Sequence, residues 1–540
     1  MGSDQIRLIQ TADMLCEDAA IATIAAWWGL HYEMAYSELW DFDFVKANDE
    51  LPQQIGNRIC IKNEKIKFQL LKEYHNIALA LFDCADPNEK TRLVLSEIKN
   101  NHPVVTFFKI AQKPWIKPYD ISDGSDPLIL FEFDKGNNGF HCIDIHGEAE
   151  KIEFLSLEVF LKGCVSGFSN DFYSFAKLKP VNNPVDWRAI VKSAVNSMQH
   201  RKTLSKNAFD AIRLFADSME FMNILTECPN EKIINNTPLC SNLRKICRYR
   251  NLFASSLEYM SQKCDVPPLS EIAKMFLQCG SKWYLVLSLI AKIFYKHAID
   301  LSRISKIKQH VYQIADFEES IADLLLNTVE TYRTADRPKF DRENIEQGFT
   351  DTSYIFLDLK EYFNSKAFNA DPQNVNKVDF TGTNNCFLTD GLPADGILYA
   401  EGISFSIKEC STNNDDNIAC DSQIINIPKE IGVAESISFL CCGEWGNFYE
   451  SVKLYFANGN IESTYLEFTD WIYVTPPAGW SVAWKGTTLN FKDSENIRLS
   501  GAYLYMKKFR INSKSEILSI ELPNSPSSHI FAISLGKNEK

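Results

Sequence analysis

The feature that most constrains the fold is a change in the spacing of apolar residues along the chain. From about residue 186 to 332, apolar residues recur every three or four positions, as at Phe209, Ile212 and Phe215, which is typical of helices. After Tyr354 the apolar residues alternate with polar ones in short runs separated by Gly, Asn, Asp and Pro, which is typical of an antiparallel β-sandwich. The sequence therefore predicts a helical region followed by an all-β region.

The first part of the chain has a mixed pattern, with a helical start and short β-like runs such as Leu128–Phe133. Lys177–Asn183, closed by Pro184, is predicted to be a linker because proline opposes continued helix or strand. The charged segment Arg333–Glu346 is predicted to be a second boundary. At roughly 150 residues per domain, 540 residues fit three or four domains. We predict an α+β multi-domain fold class, with an α+β domain at 1–180, an all-α domain at 186–335 and a jelly-roll β-sandwich at 348–540.

Composition and charge exclude several classes of protein. The net charge of −14 repels the phosphate backbone, so we expect no nucleic-acid partner. Every apolar run is interrupted well before the roughly 20 residues that a membrane span needs, so we expect no membrane partner. The 15 cysteines are scattered without a C-x-x-C pair, which argues against a zinc ribbon or a disulfide scaffold and favours a reducing compartment. Met1–Leu8 shows no signal-peptide pattern, so we expect a cytoplasmic protein. The cysteine spacing and the lack of acidic residues at the spacing of a Ca²⁺ loop lead us to expect no metal ion.

The segment around Cys16 is a candidate for nucleophilic chemistry. Ala19–Trp28 is rich in alanine and favours a helix that ends at Gly29, so Cys16 lies in or just before its first turn. The unpaired N–H groups and the dipole of a helix start stabilise a thiolate. The amide of Gln10 and the backbone N–H of Cys16 are then candidate donors for an oxyanion hole. The alternative is that Cys16 is simply a small apolar residue on a buried helix.

A second candidate segment contains His141. Gly139–Gly147 has the pattern of a strand that ends at a glycine turn, with His141 on one face and Asp144 and His146 on the other. An imidazole held by a strand is well placed to act as a general base. A strand histidine alone has a structural explanation as well, so the prediction depends on its combination with Cys16.

These two segments together resemble the papain-like cysteine fold. The pattern Gln-x5-Cys at a helix start, followed by His-x5-Gly on a strand, is similar to the compact peptidases that cleave double-glycine leaders from bacteriocins. Cys16–Trp40 and Pro103–Tyr119 resemble the N-terminal domain of the butirosin biosynthesis acyltransferase family. The helical region resembles the segment that accompanies this domain in relatives, and the residues that carry this resemblance are Arg248–Phe253, Cys279–Trp283 and Ala315–Leu326 with Glu318 and Glu319.

The resemblance implies an enzyme, a cysteine-dependent acyl or peptidyl transferase that forms an amide bond in natural-product biosynthesis. Cys16 would be the nucleophile, His141 the general base, and Gln10 an oxyanion donor. The acyl donor would be a thioester on the phosphopantetheine arm of an acyl or peptidyl carrier protein, as in nonribosomal peptide assembly. The acceptor would be a small amine, and the resemblance implies no cofactor on the chain itself.

The chain departs from the family pattern at two places. Glu17 and Asp18 follow the cysteine where relatives have a small residue, and acids next to a thiolate disfavour it. The aspartate that orients the histidine in peptidase relatives is absent, so Asp144 and Ser156 are the candidates for the third member. An acidic carrier protein needs a basic patch for docking, and the predicted docking residues are Arg244, Lys245, Arg248 and Arg250. The alternative is that these basic residues simply form the solvent-exposed face of a helix.

Two other functions fit the sequence. The first is a peptidase or thioester hydrolase of the same fold. The second is a non-catalytic scaffold in which the C-terminal sandwich, which resembles galactose-binding modules, recognises a carbohydrate.

Overall fold

The computed structural model describes most of the chain. The described residues are 6–9, 14, 16–46, 54–61, 65–84, 86–115, 125–145, 151–163, 171–180, 184–200, 206–296, 301–332, 353–370, 378–473, 476–477, 479–490 and 497–537.

The helices begin and end where the local sequence favours it. Asp86 accepts a hydrogen bond from the backbone N–H of Asn88, and Pro87 occupies the first helical position, so the third helix begins there. Gly29 adopts a left-handed φ of 65° just after the first helix, as predicted for its C-terminal stop. In chain order the α-helices are α1 (Cys16–Trp27), α2 (Ile66–His75), α3 (Pro87–Lys99), α4 (Leu157–Gly163), α5 (Trp187–Gln199), α6 (Ala208–Ser218), α7 (Ile224–Glu227), α8 (Pro238–Cys264), α9 (Pro268–Lys296) and α10 (Leu301–Thr331).

The strands fall into an early and a late group along the chain. The early strands are β1 (Asp43–Phe44), β2 (Ile59–Cys60), β3 (Ile77–Asp83), β4 (Val104–Lys109), β5 (Ser125–Asp134), β6 (Gly139–Asp144), β7 (Glu153–Ser156) and β8 (Asp171–Lys177). The late strands are β9 (Ser353–Phe356), β10 (Phe368–Asn369), β11 (Asn385–Leu388), β12 (Ile397–Ala400), β13 (Ile403–Ser406), β14 (Ile418–Asp421), β15 (Ile424–Asn426), β16 (Ser436–Gly443), β17 (Phe448–Phe456), β18 (Ile461–Phe468), β19 (Ser481–Asn490), β20 (Ile497–Arg510), β21 (Ile517–Glu521) and β22 (Asn524–Lys537).

The chain divides into two compact units, which we name by their position. The N-terminal unit comprises residues 1–39, 62–190 and 255–269. The C-terminal unit comprises residues 40–61, 191–254 and 270–540. The three consecutive domains predicted from the sequence stay a prediction.

The N-terminal unit contains a six-stranded antiparallel sheet in the order β3-β8-β4-β5-β6-β7. The helix α1 packs against β5, and four of its alanines, Ala19, Ala20, Ala22 and Ala25, are fully buried, which lets the helix lie close to the strands. The helix α3 also packs against β5, and its Val94 and Ile98 belong to a core with Leu130, Phe140 and Cys142 of the sheet. The strand that carries His141, β6, therefore lies one position from the edge strand β7.

The C-terminal unit combines helices with the β-sandwich. Its main sheet runs in the order β10-β11-β19-β20-β16-β22-β14, with β9 paired to β22, and a second sheet has the order β15-β21-β17-β18. The strand β16 is buried along its whole length between β20 and β22, whereas β17 alternates between buried and half-buried positions. The predicted change from helices to a C-terminal β-sandwich is confirmed. Among the described residues, no helix combines the length and the apolar composition that a membrane span requires.

Candidate functional site

Cys16 is the first residue of α1 and is half-buried. The two acids that follow it in the first turn lie beside Lys67 of α2. The Nζ of Lys67 is 2.9 Å from Oδ1 of Asp18 and 3.8 Å from Oε2 of Glu17, and the Lys67 and Asp18 side chains are each only 1% exposed. This buried ammonium group offsets the acidic charge that the sequence places next to Cys16.

Two tyrosines pack into the same low-dielectric region. Tyr36 is fully buried, and its burial, followed by the charge of Asp18, raises the pKa of its hydroxyl well above the usual value. Burial, followed by Glu33 and Asp18, raises the pKa of Tyr32 to about 12. Both hydroxyls therefore stay protonated near neutral pH, and water is largely excluded from the region around Asp18.

His141 lies in β6 and is half-buried between two phenylalanines. Its ring centroid is 6.5 Å from that of Phe131 and 5.6 Å from that of Phe154. Glu132 of β5 is its direct cross-strand partner, and the Cβ atoms of such partners lie about 4.5–5.5 Å apart on the same face of the sheet. A carboxylate is therefore placed beside this imidazole by the register of the strands.

The helix α1 reaches the surroundings of His141 through an aromatic contact. The ring of Trp27, the last residue of α1, is 5.8 Å from that of Phe131, which in turn stacks on His141. Cys16 is at the opposite end of α1, about 16 Å away along the helix axis. Among the described residues, no hydrogen bond or ring contact joins Cys16 to His141. The structure thus brings the helix that begins at Cys16 against β5, the strand that pairs with the strand of His141.

Gln10 and Ser156 are two further residues for which the sequence predicts a catalytic role. Gln10 lies outside the described residues, so its predicted role as an oxyanion donor stays a prediction. Ser156 pairs with Gly139, and its Oγ accepts a hydrogen bond from the backbone N–H of Val159, 3.3 Å away, at the start of α4. Its hydroxyl oxygen is therefore already used as a helix cap, and a catalytic role for Ser156 stays a prediction.

The prediction that Asp144 orients His141 is wrong. Asp144 is three residues further along β6, so it points to the opposite face of the sheet. Its carboxylate is buried and accepts hydrogen bonds from Nζ of Lys113, 2.9 Å from each oxygen, and from Nε1 of Trp115 at 2.8 Å. Asp144 therefore holds the β4–β5 connection against β6.

Of the four predicted docking residues, Arg250 does not lie on the surface. Arg244 is half-buried and donates hydrogen bonds to the backbone and side-chain oxygens of Asn235. Lys245 and Arg248 are also half-buried, and docking by these three residues stays a prediction. The prediction for Arg250 is wrong, because its side chain is fully buried in the C-terminal unit.

Arg250 belongs to a buried network around the carboxylate of Glu318. Nε and Nη2 of Arg250 each lie 2.9 Å from an oxygen of Glu318. The indole N–H groups of Trp40 and Trp283 donate to the same carboxylate at 2.8 and 2.9 Å, and Nη1 of Arg250 donates to the backbone oxygen of Asp41. A buried ion pair of this kind is tolerated only when its polar atoms are hydrogen-bonded. Arg250, Trp283 and Glu318 lie in the helical segments for which the resemblance is stated, and the network joins the residues just before β1 to α8, α9 and α10.

A second buried polar cluster, which the sequence did not predict, lies in the C-terminal unit. Lys292 of α9 donates a hydrogen bond to Glu444, and Nε2 of His529 lies 3.6 Å from the same Glu444 oxygen. Nδ1 of His529 lies 2.7 Å from Oδ1 of Asn417. Burial favours the neutral acid, but Lys292 and His529 outweigh it and lower the pKa of Glu444. The cluster holds an ionised carboxylate between α9 and the sandwich. It could not be predicted from a local sequence motif, because its members are far apart in the sequence.

Comparison with known proteins identifies the sandwich. Residues 353–539, about a third of the chain, match the family model of the AziU2-like beta-sandwich domain. No curated protein matches the chain. The described residues contain no group of three or more His, Cys, Asp or Glu side chains arranged to hold a metal ion.

Proposed function

We propose that the chain is a cysteine-dependent acyl or peptidyl transferase of papain-like fold that forms an amide bond between a carrier-bound thioester and an amine. The observation that carries this proposal is the packing of α1, which begins at Cys16, against β5, the strand hydrogen-bonded to the His141 strand. A half-buried thiol at a helix start and an imidazole on the adjacent strand are the two groups that acyl transfer through a thioester requires.

The charges around α1 support a reactive thiol. The backbone N–H groups of a helix start stabilise a developing thiolate and the oxyanion of a tetrahedral intermediate. The acids Glu17 and Asp18 would oppose the thiolate, but Lys67 lies against both of them. The net local field is therefore much less negative than the sequence alone indicates.

The proposed reaction has two steps. The Sγ of Cys16 attacks the thioester carbonyl, and the pantetheine thiol leaves with the proton that the cysteine loses. An amine then attacks the acyl-enzyme carbonyl, the C–S bond breaks, and His141 accepts the proton from the amine nitrogen. In this scheme His141 acts on the acceptor, so in the second step its imidazole lies within hydrogen-bond reach of the amine that attacks the acyl group on Cys16.

The test is a transfer assay with an acyl-loaded carrier protein and a panel of amines, with amide and free acid measured separately by mass spectrometry. Cys16→Ala is expected to abolish amide formation, whereas Cys60→Ala, which removes an exposed thiol from the C-terminal unit, is expected to leave it unchanged. Free acid as the main product with every amine would make the protein a hydrolase. Full activity of Cys16→Ala, or no product from the parent chain, would refute catalysis by this cysteine.

A further inference from the structure

The N-terminal unit contains a cavity of about 820 Å³ that neither Cys16 nor His141 lines. Its apolar wall is built by Trp27 and Trp28 at the end of α1 and by Phe131 and Phe133 of β5. Cavities of roughly 300–1,000 Å³ with aromatic walls and a few polar groups are typical of small-molecule sites. The volume and the aromatic lining therefore fit a small molecule with a large apolar group.

The polar lining of this cavity is positively charged, in contrast to the chain as a whole. Lys99, Lys135 and Lys177 contribute three cations, and Glu132 contributes one carboxylate, in a protein whose net charge is −14. All four side chains are exposed at the cavity, and Nζ of Lys177 also donates a hydrogen bond to the backbone oxygen of Trp28, 2.8 Å away. This combination favours a ligand with a negatively charged group and has one position, Glu132, for a positively charged group.

The cavity is adjacent to His141 at two points. Phe131, one of its walls, stacks on the His141 ring at a centroid distance of 6.5 Å. Glu132, the only carboxylate that lines the cavity among the described residues, is the direct cross-strand partner of His141. A ligand ammonium group held by Glu132 would therefore lie beside the imidazole that the proposed reaction uses as a base.

We propose that this cavity binds an α-amino acid with a large apolar side chain. The carboxylate would lie against the lysines, the side chain against Trp27, Trp28 and Phe131, and the amine against Glu132. Binding of such a ligand is a property of the cavity itself and does not depend on catalysis. Diamines and aminoglycosides lack the carboxylate and add positive charge beside the lysines, so they are poor ligands for this cavity.

Binding is tested by titration calorimetry with the full chain and three matched probes. L-Phenylalanine carries both charges, 3-phenylpropanoate lacks the amine, and phenethylamine lacks the carboxylate. L-Phenylalanine is expected to bind at least fivefold more tightly than either analogue. Glu132→Gln is expected to remove the preference over 3-phenylpropanoate, and the double variant Lys99→Gln/Lys135→Gln the preference over phenethylamine, each a change of about fivefold or more in the ratio of affinities. Lys72→Gln, an exposed change in α2 of the same unit, is the control and leaves binding unchanged.

The outcomes separate the two proposals. Binding of L-phenylalanine that responds to these variants, without any amide product, would support the cavity and refute the transferase. Amide formation by a chain that binds none of the three probes would support the transferase and refute this site. Equal binding of all three probes, or no binding of any, would overturn the inference.

Discussion

The buried pair between Lys67 and Asp18 provides a sharp test of how the first turn of α1 is held. Lys67→Met removes the ammonium group and leaves the carboxylate of Asp18, 1% exposed, in a region where it has lost its cation. Breaking a buried ion pair by removing one partner costs about 3–5 kcal/mol, most of it from the charge that stays behind. We expect the N-terminal unit to lose stability by this amount, and the loss to be largest in α1.

The assay is hydrogen exchange under native conditions, read as the free energy of opening for peptides that cover α1, with urea unfolding as a global measure. The control is the double variant Asp18→Leu/Lys67→Met, in which both charges are replaced by apolar groups. Such replacements are often neutral, so most of the lost stability is expected to return. A loss below about 1 kcal/mol in Lys67→Met, or an equal loss in the double variant, would refute the assignment of this pair as a buried and desolvated one.

Three further predictions concern other groups. Arg250→Met leaves the buried carboxylate of Glu318 without its cation and is expected to destabilise the C-terminal unit by about 3–5 kcal/mol in urea unfolding, while Arg250→Met/Glu318→Leu recovers most of this loss. Burial raises the pKa of Asp470 to about 7, so the folded protein binds this proton more tightly than the unfolded chain. The contribution of Asp470 to the free energy of unfolding therefore falls as the pH rises from about 4 to about 7, by about 4 kcal/mol in total. Asp470→Asn is expected to flatten the difference between urea midpoints at pH 5 and pH 8, and an unchanged difference would contradict the assignment. Ser156→Ala removes the cap of α4 and is expected to cost about 1 kcal/mol with an unchanged rate of transfer, whereas a large fall in rate without loss of stability would show that Ser156 is the third catalytic residue.

The layout of the fold was predictable because a helix or strand that buries one face has apolar residues at a regular spacing along the sequence. The period of three to four residues before residue 332 and the alternation after Tyr354 follow from helices and strands that each bury one side. The end of α1 was predictable for a local reason, because a glycine such as Gly29 adopts a left-handed φ at little cost.

The errors and omissions concern interactions between residues that are far apart in sequence. Arg250 looks like one more surface cation among several basic neighbours, and its partner Glu318 is 68 residues away. Lys67 is 49 residues from Asp18, so the acids after Cys16 appear uncompensated in the sequence. These pairings depend on helix packing, which the apolar period does not specify.

One residue near the candidate site could have been found from the sequence. Asp134 pairs with Gly139 at the hairpin between β5 and β6, and counting back two positions places Glu132 opposite His141. The bulge at Phe131 comes after this pair and does not alter the count. Both residues predicted as the third member, Asp144 and Ser156, follow His141 in the sequence, whereas Glu132 precedes it on β5.

The most direct test of the central claim is the site of acylation. The chain is mixed with an acyl-loaded carrier protein in the absence of amine, quenched in acid, and mapped by peptide mass spectrometry. The account predicts one acyl group on the peptide that contains Cys16, absent in Cys16→Ala, retained in Cys60→Ala, and lost on addition of an accepted amine as amide appears. An acyl group on another residue, or amide formation at the full rate in Cys16→Ala, would contradict it.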